Sequence, residues 1–157
     1  MSAEDRTPVA TGGCQCGAVR YAFYAPLEKS HVCHCRMCQR AVGGLFAALA
    51  GGAPGNFTWT RGTPTFFASS NLAQRGFCGR CGTPLSFKYG LATARMYATI
   101  GSLDHPEHAP IEKQFGIESR LPWVKFCEDV PAERTGESAA AQEFLANLQS
   151  NQGLSGS

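Results

Sequence analysis

A mainly β domain held together by metal is what this sequence predicts, and three observations carry the prediction. Eighteen glycines in 157 residues imply many tight turns. Between Val9 and Arg134, short apolar runs alternate with Gly, Pro or Asn, and no linker interrupts them. Seven of the eight cysteines fall into three tight clusters, which small hydrophobes scattered through a core would not do.

The elements follow from local pattern. Alternation is clearest at 19–23, where Val19, Tyr21 and Phe23 share one strand face. Further strands are expected at 45–50, 56–60, 65–68, 74–77, 85–88, 96–100 and 112–117. Past Arg134 the composition shifts to Ala, Glu and Leu over 137–148, with Phe144 and Leu148 four apart, which predicts a short C-terminal helix. The organisation read from this is a flexible N-terminus at 1–8, one domain at 9–134, and a short helix with a disordered Gly/Ser tail at 135–157.

Charge narrows the partners. A net charge of +2 with ten arginines scattered from Arg6 to Arg134 offers no stripe to track phosphates, which argues against nucleic acid. The polar start lacks the apolar core of a signal peptide, and the longest apolar run, 45–50, is far short of a membrane span. A cytoplasmic setting is therefore expected, where disulfides are rare and clustered cysteines bind metal.

The three clusters differ in what they offer. Cys78-Gly79-Arg80-Cys81-Gly82 has a glycine after each cysteine, so the backbone can tighten and aim both thiolates at one ion. A redox pair would need a thioredoxin-like βαβ context, absent here. Cys14 and Cys16, two apart in an extended segment, face the same way and can share that ion. Together Cys14, Cys16, Cys78 and Cys81 make a closed four-cysteine set for a structural zinc, tying segments more than sixty positions apart. Cys33-His34-Cys35-Arg36-Met37-Cys38 supplies three thiolates and no obvious fourth ligand, the donor count of a catalytic zinc with one exchangeable position. A soft ion of that kind suits a substrate thiol. Three other arrangements stay open: Cys127, His34 or His31 completing a closed site, a vacant second site, or an iron–sulfur cluster with a borrowed ligand. His34, between two ligands, is expected to face away from them.

The fragments Gly12-Gly13-Cys14-Gln15-Cys16-Gly17-Ala18-Val19-Arg20-Tyr21, Cys33-His34-Cys35-Arg36-Met37-Cys38 and Gly43-Gly44-Leu45-Phe46 recur together in one known family. So do Arg75-Gly76-Phe77-Cys78-Gly79-Arg80-Cys81-Gly82-Thr83-Pro84-Leu85 and Glu118-Ser119-Arg120-Leu121-Pro122-Trp123. On these motifs the chain resembles the glutathione-dependent formaldehyde-activating (GFA) family, the centromere protein V/GFA-type domain, from Gly12 to about Arg134. The resemblance implies an Mss4-like, zinc-stabilised β fold with short helices and a C-terminal helix. It also implies a carbon–sulfur lyase scaffold whose founding members make and break the adduct of glutathione with formaldehyde. Carried over residue by residue, it assigns a structural zinc to Cys14, Cys16, Cys78 and Cys81 and a catalytic zinc to Cys33, Cys35 and Cys38, two zinc ions per chain. The implied partner is a small-molecule thiol or thiol–aldehyde adduct, glutathione among them. The chain is shorter than the founding enzymes, and no residue stands out for the two ends of glutathione. The competing class is a non-catalytic zinc-stabilised binding module whose second site is structural or vacant.

Smaller expectations concern single residues. Trp123 and Phe46 are candidates to line a pocket above the second metal, with core packing as the ordinary alternative. Arg120 could hold a carboxylate or pair with Glu118, and Arg36 and Arg40 could steer an anionic thiol or simply face solvent. Cys127 is expected to be a buried hydrophobe, and Ser69 and Ser70 carry no assigned role.

Overall fold

The computed structural model describes residues 6–90 and 94–150. Most of the lead expected at 1–8 and of the tail expected at 150–157 lies outside these residues.

The chain opens with a hairpin of β1 (Ala10–Gly13) and β2 (Arg20–Phe23), wrapped around the first cysteine pair. β3 (Glu28–Cys33) then runs into α1 (Arg36–Val42), which turns back into β4 (Ala47–Gly51). β5 (Phe57–Arg61) joins β2, completing a three-stranded sheet in the order β1-β2-β5. Four antiparallel strands follow, β6 (Thr65–Ala68), β7 (Ala73–Phe77), β8 (Pro84–Tyr89) and β9 (Met96–Thr99). β10 (Lys113–Phe115) and β11 (Ala132–Glu133) pair in parallel at the far edge, and α2 (Ala139–Asn147) follows. The second sheet has eight strands in the order β11-β10-β3-β4-β9-β8-β7-β6.

Between the sheets lies an aromatic core. Tyr21 stacks on Phe57 at 5.4 Å, and Phe57 meets Phe23 at 5.0 Å and Trp59 at 4.8 Å edge to face. The buried Tyr21 hydroxyl is satisfied by Ser102 Oγ at 2.8 Å. Leu85, Ala98, Leu103 and Ala50 fill the rest, and Cys14 and Cys78 belong to the same cluster. The four-cysteine group therefore sits at the rim of the core, where it can hold the two sheets together.

The mainly β reading holds, with eleven strands in two sheets and two short helices among the described residues. Every strand read from alternation has a counterpart, and β6 matches residue for residue. The strand expected at 112–117 shrinks to β10, because Gly116 adopts a left-handed φ of 64° and the chain leaves the sheet in a 3-10 turn at Ile117–Ser119. β1, β3, β11 and α1 are elements the pattern did not mark. α2 starts where Ser138 accepts a hydrogen bond from Ala141 N at 3.1 Å, an N-cap. No helix among the described residues is long and apolar enough to cross a membrane.

Candidate metal centres

The first group is built by two turns, one closing the β1–β2 hairpin and one joining β7 to β8. In the first, Cys14 N donates to Val19 O at 3.0 Å and Gly17 N to Cys14 O at 3.1 Å. In the second, Cys78 N donates to Thr83 O at 3.0 Å and Gly82 N to Cys78 O at 2.8 Å, with Gly82 at a φ of 80° that a side chain rarely adopts. The turns meet so that the Cys14, Cys16, Cys78 and Cys81 sulfurs lie within 4.8 Å of one another. Cys14 and Cys16 Sγ are 3.5 Å apart, and Cys16 and Cys78 Sγ 3.7 Å. A disulfide needs about 2.05 Å, whereas four sulfurs set tetrahedrally at about 2.3 Å from one zinc stand about 3.8 Å apart. The donor set and its spacing therefore fit zinc.

The sulfurs are also dressed for negative charge. Val19 N donates to Cys14 Sγ at 3.2 Å and Arg80 N to Cys78 Sγ at 3.4 Å. Thr83 Oγ1 lies 3.2 Å from Cys81 Sγ, and hydrogen bonds from its hydroxyl and its backbone N–H pull the Cys81 thiol down to about 5. Donors aimed at a sulfur favour the thiolate, which is the form a metal takes.

The second group sits at the end of β3. Cys33 is the last residue of that strand, paired with Ala47 on one side and Phe115 on the other. Cys35 is the N-cap of α1, its Sγ accepting from Cys38 N at 3.4 Å, and Cys38 is buried in the first turn. Cys33, Cys35 and Cys38 sulfurs lie within 4.8 Å of one another, and no fourth Cys, His, Asp or Glu among the described residues joins them. Hydrogen bonds from Cys33 and Cys35, reinforced by the Arg75 guanidinium, hold the Cys38 thiol down at about 2 against burial. Contacts with Cys35 and Cys38, with burial, push Cys33 above the usual thiol range. One thiolate thus forms readily and resists the next, so a cation is needed before all three ionise. Three soft, crowded thiolates suit a zinc ion here as well.

Behind this loop a buried polar chain fixes its shape. His34 is fully buried and turned away from the thiols, its Nε2 2.9 Å from Gln114 Oε1, while Gln114 Nε2 donates to Cys127 O at 2.6 Å. Gln39 Nε2 donates to His34 O at 2.7 Å and to Ser119 O at 3.1 Å. Gly116 lies hard against the loop, since a Cβ there would stand 2.8 Å from Cys35 N. Gly116→Ala is expected to lower stability by about 2–3 kcal/mol, adding a left-handed side chain to a backbone clash. Urea denaturation checks the cost, and a metal bound by Cys33, Cys35 and Cys38 should exchange faster with a chelator in the variant.

The three thiols open into a chamber of about 440 Å³, within the size range of small-molecule sites. His31, Phe87, Tyr89, Tyr97 and Phe115 form its walls. His31 packs edge to face on Tyr97 at 5.3 Å and on Phe115 at 5.1 Å, and burial pulls its imidazole below the ordinary value. Phe144, Leu145 and Leu148, from α2 and its end, roof the chamber, with Phe144 edge-on to Tyr89 at 5.3 Å. A larger open groove of about 770 Å³ on the other side of α2, around Asn71 and Asn147, holds no thiol or imidazole.

One cation faces the thiols. Arg75, from β7, donates from Nη2 to Cys38 Sγ at 3.4 Å and lies over the Phe87 ring at 4.8 Å. Among the described residues it has no carboxylate partner, and its buried Nε has no acceptor. Leaving such a group unpaired costs about 1–3 kcal/mol.

Several single-residue expectations need correction. Trp123 is 66% exposed and Phe46 stacks on Phe126 at 4.9 Å; neither lines the chamber, because the loop after β10 carries Trp123 out to solvent. Arg36 is bonded to Gln39 Oε1 within its own helix, and Arg36, Arg40 and Arg120 are all absent from the lining. Glu118 accepts from Thr135 N rather than pairing with Arg120. Cys127 is half-buried with a left-handed φ of 56°, so it serves the fold through its carbonyl rather than as a core hydrophobe. His31, weighed in the sequence only as a fourth ligand, stands in the chamber wall instead, while Arg75, the aromatic walls, and Ser69 and Ser70, both buried at the chamber edge, had been given no role there. The one available signal was a strand, 73–77, that carries an arginine on the same face as Ala73.

A mostly β scaffold bearing two thiol groups that could hold metal ions, one closed and one facing a chamber, is the class of protein this site defines. The family model described as glutathione-dependent formaldehyde-activating enzyme matches residues 9–118, and the chain belongs to that family. A crystal structure of a Rhodobacter sphaeroides protein is also similar, with a TM-score of 0.46 and 19% identity over 78% of this chain and 99% of the other.

Proposed function

We propose that this chain is a zinc-dependent carbon–sulfur lyase-type enzyme acting on a thiol–aldehyde adduct, S-hydroxymethylglutathione or a related small molecule. The observation that carries the reading is the trio Cys33, Cys35 and Cys38, with no fourth side-chain ligand among the described residues and a chamber on its open side. Cys14, Cys16, Cys78 and Cys81 would hold a structural zinc, and Cys33, Cys35 and Cys38 a catalytic one. Zinc at the trio supplies a Lewis-acid position that keeps a substrate thiol ionised at neutral pH.

The chain's own residues supply the rest. The reaction needs no protein nucleophile, because the sulfur belongs to the substrate. As an adduct falls apart, the C–S electron pair stays on sulfur, the hydroxyl carbon becomes a carbonyl, and the hydroxyl proton goes to water. The aromatic walls and the α2 roof limit water around the released aldehyde. The His34–Gln114 and Gln39 hydrogen bonds hold the ligand loop in shape for each turnover. Eight free thiols agree with a reducing, cytoplasmic setting.

Cobalt(II) in place of zinc tests the reading through spectra alone. Added thiol is expected to shift the ligand-field bands of one of two bound cobalt ions and leave the other unchanged. Bands indifferent to thiol would count against a lyase and favour a binding module with two closed sites.

A further inference from the structure

The chamber's lining says which thiol it takes, given the reading above on which this inference rests. Its walls and roof are aromatic and aliphatic, and its ionisable side chains apart from the thiols and tyrosines are His31, Arg75, Glu133 and Arg134. Glu133 is committed to Lys113, and Arg134, also in the lining, is exposed to solvent. That leaves Arg75 as the cation next to the thiols, with its Nε lacking an acceptor. Glutathione would bring two carboxylates and an ammonium to a mostly apolar lining whose polar groups are few, Arg75 and Arg134 with Glu133, Ser69, Ser70 and Thr135. A ligand matched to this lining has an apolar body, no remote charges, and one oxygen near the sulfur.

The position of Arg75 identifies that oxygen. Its Nη2 lies 3.4 Å from Cys38 Sγ, so an oxygen two bonds from a sulfur held beside Cys38 comes within reach of the same guanidinium. In a thiol–aldehyde adduct, S–C–O–H, that atom is the hydroxyl oxygen, on which negative charge builds as its proton leaves or as thiolate adds to the aldehyde. A donor aimed at developing charge in a water-poor site lowers the barrier more than it tightens binding.

We propose that the chamber selects the aldehyde adduct of a small aromatic or branched apolar thiol over that of glutathione, and that Arg75 is a catalytic residue binding the adduct oxygen. On cleavage, the C–S pair goes to sulfur, the C–O bond becomes C=O against the guanidinium, and the hydroxyl proton passes to water. Addition is the reverse, and no oxidant or reductant takes part.

Calorimetric titration of the zinc-loaded full chain with benzyl mercaptan and with glutathione tests the selection. Benzyl mercaptan is expected to bind at least about tenfold more tightly, through the apolar walls. Phe144→Asp, on the peripheral α2, should erase that preference without unfolding the domain. Arg75→Met is expected to lower kcat on the benzyl mercaptan–formaldehyde adduct by about 100-fold or more. Its affinity for benzyl mercaptan alone should stay within about threefold, and Arg75→Lys should recover part of kcat. Glutathione binding as tightly as benzyl mercaptan, or an Arg75→Met enzyme with unchanged kcat, would overturn this proposal and leave the thiol reading standing. Binding of neither thiol would overturn both.

Discussion

Cys78→Ser is expected to leave the protein without a cooperative thermal transition at ordinary temperatures. Cys78 is 1% exposed, belongs to the main core cluster and has its sulfur 3.7 Å from that of Cys16. A zinc held by Cys14, Cys16, Cys78 and Cys81 would join the turn after β1 to the turn after β7, across more than sixty positions of sequence. Structural zinc contributes on the order of 10 kcal/mol to small domains, against a net stability of about 5–15 kcal/mol. Serine keeps the size but ligates zinc poorly and leaves a buried hydroxyl short of partners. Circular dichroism melting with zinc quantification checks this. A cooperative melt within a few degrees of the parent would mean that the group is not a structural metal site.

Cys35→Ser is expected to do the opposite, keeping the fold and removing the chemistry. Cys35 caps α1, with Sγ accepting from Cys38 N, and serine is among the best residues for that position. The helix should survive and the melting temperature stay within about 5 °C. Losing one of three thiolates should drop bound zinc from two per chain towards one and lower turnover of a thiol–aldehyde adduct by about 1,000-fold or more. A variant that folds, keeps both metals and turns over at the parental rate would remove the three-cysteine group from the mechanism.

The different fates of the two variants trace to what sequence conveys. Cysteine spacing was sufficient to mark both groups, although Cys14 and Cys16 meet through the turn after β1 rather than through the extended segment expected of them. β2 and β6–β9 were legible for the same reason, as short runs bounded by turn residues. β3 was not, since Glu28, Lys29, Ser30 and His31 are polar with no apolar alternation, and only pairing with β4 and β10 makes this stretch a strand. α1 hid among the clustered cysteines. The chamber was illegible almost entirely. Phe87 and Tyr97 come from adjacent strands and Phe115 from the far side of β3, so their convergence depends on the order of an eight-stranded sheet. Arg75 in isolation is an ordinary strand arginine; its setting against Cys38 and Phe87 exists only after folding. The C-terminal helix was visible in its composition, but not the surface on which it lies.

The roof carries a consequence for how such a protein can change over generations. The cysteines of both groups and the wall strands fall within residues 9–118, the stretch shared with the family, whereas α2 lies beyond it and supplies neither a thiol nor strand pairing. Drift in that terminal segment can redraw the ceiling of the chamber while the chemistry beneath is inherited intact. Two descendants of one ancestor could thus keep the same reaction and part company over which molecule undergoes it.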